Sequence, residues 1–282
     1  MNIAVAGLGL IGGSFVKAFT RAGHAVSVWN RTRATAERAV AEGQAVDVLD
    51  DDFSRADLVV VALPPVNVVD WIDAHQATFK QGAIVVDATG VKAELCAALS
   101  KYALQSRWTF IGGHPMAGKE VNGWDNATAD LYKNASMIFT PYPSCGRGPL
   151  DKLDVLFREI GFTKIVFTTP ETHDKMIALT SQLAHVVSSA YMQDPLAVKH
   201  DGFSAGSFHD MTRVARLDPV IWTELFLSNR VALLEVLEGL ISRLGDFRTA
   251  LEASDAKRLE AMLAAGRDAR LACVDPKPLY RS

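Results

Sequence analysis

Apolar residues in the first 170 positions fall into short, mostly unbroken runs. They are "NIAVA" (2–6), "AVSVW" (25–29), "DLVVVAL" (57–63), "AIVVDA" (83–88), "WTFIG" (108–112), "SMIFT" (136–140) and "KIVFT" (164–168). Continuous rather than alternating runs predict strands buried on both faces. Residues 13–23, 32–43 and 149–161 read as helices between them. Strand–helix alternation predicts a parallel sheet covered by helices. The pattern changes near Pro170. Residues 171–192, 219–253 and 255–271 have helical periodicity, and 219–253 is apolar on more than one side, as in a bundle or dimer interface. The expected organisation is an α/β domain over 1–169 and an all-helical domain over 170–282.

Composition narrows the function classes. Apolar residues are 49% and charged residues 22% of the chain, which predicts a packed core rather than disorder. A net charge of −3 gives no electrostatic reason for nucleic acid or an anionic membrane as the main partner. Cys96, Cys145 and Cys273 are scattered, with no CxxC, so neither a disulfide framework nor a metal site is expected, and a reducing cytoplasm fits. The first 16 residues lack a basic n-region and carry four glycines, unlike a signal helix.

Gly7-Leu8-Gly9-Leu10-Ile11-Gly12 is a GxGxxG between a predicted strand and a predicted helix, the context a dinucleotide fingerprint requires. Its glycines permit a tight turn and close approach of a pyrophosphate to the helix N-terminus. After the second strand, an NAD site would carry an acid for the ribose 2′-hydroxyl. Here Asn30 is neutral, and Arg31 and Arg33 would pair with a 2′-phosphate, so NADP is expected and NAD is the alternative. The two arginines also fit solvated helix-start charges, although cations there oppose the helix dipole. Leu63 and Pro64 end a strand along the expected cofactor path.

Other polar residues lie where packing alone would not put them. "DATGVK" (87–92), with Thr89 and Gly90, and "GGHPMAG" (112–118), with His114, are expected as loops at the carboxyl ends of strands, where ligands bind in open α/β folds. His114 fits equally an aimed imidazole and a solvent-exposed loop residue. Asp174, Ser181, His185 and Ser188 share one face of a helix, which fits a cleft lining or a solvent face. Asp210 and Arg213 are three apart, a surface ion pair or an orienting carboxylate for an anion-binding arginine.

"GLGLIGGS", "GGHPMAG", "SQLAH" and "FHDMTRVARLDPVIWTELFLSN" resemble, in order and spacing, the prephenate/arogenate dehydrogenase family. The resemblance implies a Rossmann-type domain, a helical domain that forms a homodimer, and oxidative decarboxylation of a cyclohexadienyl acid. It implies that His114 accepts the proton of the ring hydroxyl, that Arg213 anchors a substrate carboxylate with Asp210 orienting it, that His185 binds substrate and that Glu120 gates the pocket. Where many relatives carry a serine this chain has Gly90, which leaves Thr89 one residue earlier, or a water, to supply the hydroxyl. Prephenate, arogenate and an aminated ring analogue are left open as substrates. A β-hydroxyacid dehydrogenase would need a catalytic lysine on a glycine-rich helix, and "HDKMIALTSQLAH" offers Lys175 without glycines. A non-catalytic NADP-binding regulator would leave the histidine loop and Arg213 unexplained.

Overall fold

The computed structural model describes residues 1–103, 107–119 and 121–273. The chain divides into two compact units, Met1–Asp174 and Lys175–Ser282. The break falls a few residues beyond Pro170, because the first turns of helix α6 (Pro170–Ile177) belong to the first unit.

The first unit is built on an eight-stranded sheet. Its strands are β1 (Asn2–Ala6), β2 (Ala25–Trp29), β3 (Asp47–Val48), β4 (Leu58–Val61), β5 (Ile84–Asp87), β6 (Thr109–Pro115), β7 (Ser136–Pro141) and β8 (Lys164–Phe167), in the order β3-β2-β1-β4-β5-β6-β7-β8. The first six positions follow the doubly wound dinucleotide-binding order. Successive residues of β1 alternate between two cores: Ile3 and Val5 pack with Phe15, Phe19 and Phe157 on one face, while Ala4 and Ala6 pack with Trp71 and Phe79 on the other. Two buried faces are why the strands read as unbroken apolar runs.

Helices α1 (Leu10–Arg21), α2 (Arg33–Ala41), α3 (Pro65–His75), α4 (Ala93–Leu99) and α5 (Arg147–Glu159) link the strands. The pattern did not predict α3, whose valines are poor helix formers, nor the seven-residue α4, nor the two-residue β3. The sheet is also not wholly parallel, since β6 and β7 run antiparallel.

The expected loop at 112–118 is largely strand. β6 pairs with β5 only through Ile111, but it continues to Pro115 against β7, with His114 opposite Ile138. Glycines occupy this stretch because of close packing, not because of a turn. A Cβ on Gly113 would lie 2.5 Å from the Asp87 carbonyl oxygen and from Val86 Cγ1. The Gly113 N–H instead donates to Asp87 Oδ1 at 2.9 Å, replacing the ladder bond that β5 no longer supplies.

In the second unit a π-helical turn, Ala178–Gln182, leads into α7 (Leu183–Met192), followed by α8 (Gly206–Thr212), α9 (Pro219–Ser228), α10 (Arg230–Glu252) and α11 (Ala256–Ala272). The single helix expected over 219–253 is broken at Asn229. This buried side chain donates to Gln182 Oε1 at 2.7 Å, and Gln182 Nε2 donates to the Leu225 carbonyl at 2.9 Å. Asp218 caps α9 through the Val220 and Ile221 N–H groups. Considered by itself, the unit has a small core around Ala178, Leu183 and Leu233, while Val231, Leu234, Ile241 and Leu244 are exposed. No helix among the described residues is long and apolar enough to cross a membrane.

The close approach at Gly113 yields an expected outcome. Gly113→Ala forces β6 away from β5 and lowers stability by about 1–3 kcal/mol, the usual cost of overpacking, read as a lower denaturant midpoint at unchanged m-value.

Candidate active site

The glycine turn after β1 has the shape of a phosphate cradle. Gly7 has φ +93, a conformation that favours glycine, and a Cβ there would meet the Ala62 carbonyl and Leu63. A Cβ on Gly12 would meet the Gly7 carbonyl. Gly9 differs, being exposed at the head of α1 with nothing within 4 Å of its would-be Cβ. No side chain caps α1. An open glycine and an uncapped helix start fit a dinucleotide pyrophosphate. Pro64 precedes α3, with Leu63 against Gly7.

Two of the residues expected at the ribose are engaged otherwise. Asn30 Oδ1 accepts the Leu8 N–H at 3.0 Å and Asn30 Nδ2 donates to the Thr32 carbonyl at 3.0 Å, so Asn30 ties the end of β2 to the glycine turn. Arg33 pairs with Glu37 at 3.0 Å and with Asp50, both at exposed positions. Arg31 is exposed and has no ion-pair partner among the described residues.

At the carboxyl ends of β5 and β6 lies a buried polar cluster. Asp87 and Lys92 form an ion pair with both side chains fully buried. Asp87 Oδ2 also accepts from the Thr89 N–H at 2.8 Å and the Thr89 hydroxyl at 2.6 Å, while its Oδ1 takes the Gly113 N–H. This corrects the expectation for Thr89: its hydroxyl is consumed by the ion pair and does not stand in for the missing serine at Gly90. Cys96, 3.5 Å from the Thr140 hydroxyl, has its thiol pushed up to about 12 by burial and is a packing residue.

His114 is supported instead by residues the pattern did not bring to it. Its Nδ1 lies 2.9 Å from His173 Nε2, and His173 Nδ1 lies 2.7 Å from Asp174 Oδ1. Asp174 in turn accepts the Lys92 N–H at 2.8 Å and the Ala93 N–H at 2.7 Å, capping the start of α4 from outside the helix. His114 Nε2 has no hydrogen-bond partner among the described residues. Burial holds His114 well below the ordinary histidine range, and the positive charge of Lys92 acts in the same direction. The imidazole is therefore neutral at neutral pH and able to accept a proton. Asp174 thus leaves the helical stripe expected with His185, because the π-helical turn interrupts the 3.6-residue register which that spacing assumed.

In the second unit His185 stacks on Trp222 with ring centroids 3.6 Å apart, and its Nδ1 lies 2.9 Å from the Ser181 carbonyl. Arg213, exposed, opens the turn after α8 that packs on α7. The expected Asp210–Arg213 pair is not made: Asp210 is on α8, whereas Arg213 begins a tighter helical turn. Glu120 lies outside the described residues.

Residues 15–166 match the family model described as prephenate dehydrogenase, nucleotide-binding domain, and 169–265 the one described as prephenate dehydrogenase, dimerization domain. A cyclohexadienyl dehydrogenase of Zymomonas mobilis is 33% identical over 286 residues, spanning 96% of this chain and 95% of its own length. The solved Synechocystis arogenate dehydrogenase superposes with a TM-score of 0.86 at 28% identity, covering 96% of this chain and 99% of that one. The prephenate dehydrogenase from A. aeolicus in complex with hydroxyphenyl propionate and NAD+ gives 0.82 at 25% identity, covering 96% and 97%.

The cradle is tested by Gly9→Ala. With no neighbour to meet, the methyl leaves the unfolding midpoint within about 0.5 kcal/mol of the parent, as for surface changes generally. Standing where a pyrophosphate would approach, it weakens reduced-cofactor binding by about tenfold or more, measured by fluorescence titration.

Proposed function

The chain belongs to the prephenate dehydrogenase family, and we infer that it catalyses the NAD(P)-dependent oxidative decarboxylation of prephenate to 4-hydroxyphenylpyruvate. The observation that carries this reading is His114 itself: a neutral imidazole at the carboxyl end of the sheet, tethered through Nδ1, with Nε2 free of partners among the described residues. Oxidation of the ring carbinol removes a hydride from C4 and needs an acceptor for the hydroxyl proton. His114 Nε2 is that acceptor, and a positioned base contributes about 10²–10⁴-fold.

The glycine turn and the head of α1 hold the cofactor, which supplies the hydride-accepting nicotinamide. NADP is the preferred form, on the strength of Arg31, exposed and engaged by no acid among the described residues; Arg33 adds to it only by leaving Asp50 and Glu37. Arg213 anchors a substrate carboxylate, since a guanidinium pairs bidentately with a planar anion. His185, with Nδ1 committed to the Ser181 carbonyl, presents Nε2 to the substrate. The exposed apolar side chains of α9 and α10 are covered by a second copy in a homodimer, in keeping with the match of 169–265 to a dimerization domain.

His114→Asn keeps cofactor affinity and lowers kcat by about 10²-fold or more; undiminished turnover of prephenate would sink the assignment of the base. Arg31→Ala raises the KM for NADP+ by about 10–100-fold, equivalent to the ~1.5–3 kcal/mol of a charged hydrogen bond, and leaves the KM for NAD+ within about threefold. A parent enzyme that prefers NAD+ would contradict the NADP reading. Side-by-side turnover of prephenate and arogenate decides the substrate side chain.

A further inference from the structure

We propose that His173 and Asp174 form a proton relay behind His114, fixing its tautomer and carrying away the charge it acquires when it takes the substrate's hydroxyl proton. The proposal rests on the reading of His114 as the base. Its starting point is the carboxylate. Both oxygens of Asp174 receive backbone N–H donors, from Lys92 at 2.8 Å and Ala93 at 2.7 Å. A carboxylate so placed only accepts hydrogen bonds, so the His173 nitrogen 2.7 Å away, Nδ1, carries a proton. Neutral His173 then has its lone pair on Nε2, which faces His114 Nδ1 at 2.9 Å. His114 in turn carries its proton on Nδ1, and its lone pair is left on Nε2, the nitrogen without a partner among the described residues. One carboxylate sets both tautomers.

The same chain solves a charge problem. An imidazolium at His114 would sit beside Lys92, whose own counter-ion Asp87 is already saturated by Thr89 and Gly113. Among the described residues no carboxylate bonds to His114 directly. Among the described residues, the charged groups around the histidine pair are Asp87 at the end of β5, Lys92 at the head of α4 and Asp174 on α6. Of these, only Asp174 bonds to an imidazole. As hydride leaves C4, the hydroxyl proton moves to His114 Nε2 and the Nδ1 proton moves to His173 Nε2. The positive charge comes to rest on His173, against Asp174. When CO2 departs, the electron pair of its bond enters the ring and leaves a phenolate oxygen. The two protons then step back, the phenolate becomes a phenol, and the pair is returned neutral, so no proton is gained or lost overall.

His173 is thus a positioning residue acting through His114. Nitrogen-15 NMR of the resting wild-type protein should show His114 protonated at Nδ1 and bare at Nε2. The opposite tautomer overturns the relay, whatever the variants do. His173→Gln keeps an acceptor at the position of Nε2 but cannot take up a proton. It should lower kcat by about 10²-fold, in the range for a lost proton-transfer partner, with the KM for prephenate and the affinity for reduced cofactor within about threefold. The acid limb of the kcat–pH profile should also move to lower pH. In the parent that limb reports first protonation of a pair that includes an imidazole against a carboxylate, and in the variant it reports His114 alone. Parental kcat, or an acid limb that stays in place, overturns the proposal. A wild-type protein inactive on prephenate would refute the substrate instead, and the NMR tautomer would still decide the relay.

Discussion

The buried Asp87–Lys92 ion pair is the constraint on which the candidate active site depends. Such a pair survives desolvation only when its remaining hydrogen-bonding capacity is filled. Here Asp87 also takes two bonds from Thr89 and one from the Gly113 backbone, and Lys92 Nζ reaches the Thr89 hydroxyl at 2.6 Å. Removing either partner from a pair of this kind typically costs about 3–5 kcal/mol. The geometric consequence matters more than the energy. Through Gly113 the pair holds β6 to the tip of β5 beyond the end of their ladder, which sets where His114 stands. Through the backbone of Lys92 it holds Asp174, which sets what stands behind His114.

The cofactor side follows a different logic. Gly7 and Gly12 are there because backbone atoms crowd the space a side chain would need, and Gly9 because the space is open. Asn30 works with them by tying Leu8 to the end of β2, so a residue that stands where an acid would read the ribose is occupied in building the turn. Asp50 and Glu37 both pair with Arg33. Exposed ion pairs are weak, of the order of 0–1 kcal/mol, so Asp50 and Glu37 bias Arg33 without locking it.

The helical unit spends its polar groups inward and leaves apolar groups outside. Asn229 and Gln182 bond to each other in its interior, and that exchange ends one helix and starts the next. Exposed leucines and valines along α10 run against the usual economy of a soluble surface. His185 is fixed between the Ser181 carbonyl and the face of Trp222.

What the sequence determined by itself is what short-range physics controls. Unbroken apolar runs marked seven of the strands, most plainly β4 and β5, where burial on both faces leaves no polar alternation. The change of period near Pro170 marked the helical half, and GxGxxG between strand and helix marked the dinucleotide turn, since glycine there answers a purely local backbone need. The imidazole of His114 was visible as an unusual residue, but its setting was not. Gly113 read as part of a loop following the strand that ends at Gly112, whereas the fold keeps both inside β6. Thr89 and Asp210 read as partners for substrate and arginine; the structure gives the first to Asp87, and the second makes no ion pair among the described residues. The support of His114 comes from His173, 59 residues away, and the donors to Asp174 from residues 81 and 82 positions earlier. No periodicity encodes such separations. Tertiary structure alone decided them, because a hydrogen bond between distant segments exists only once the sheet and helices have brought its two ends within 3 Å.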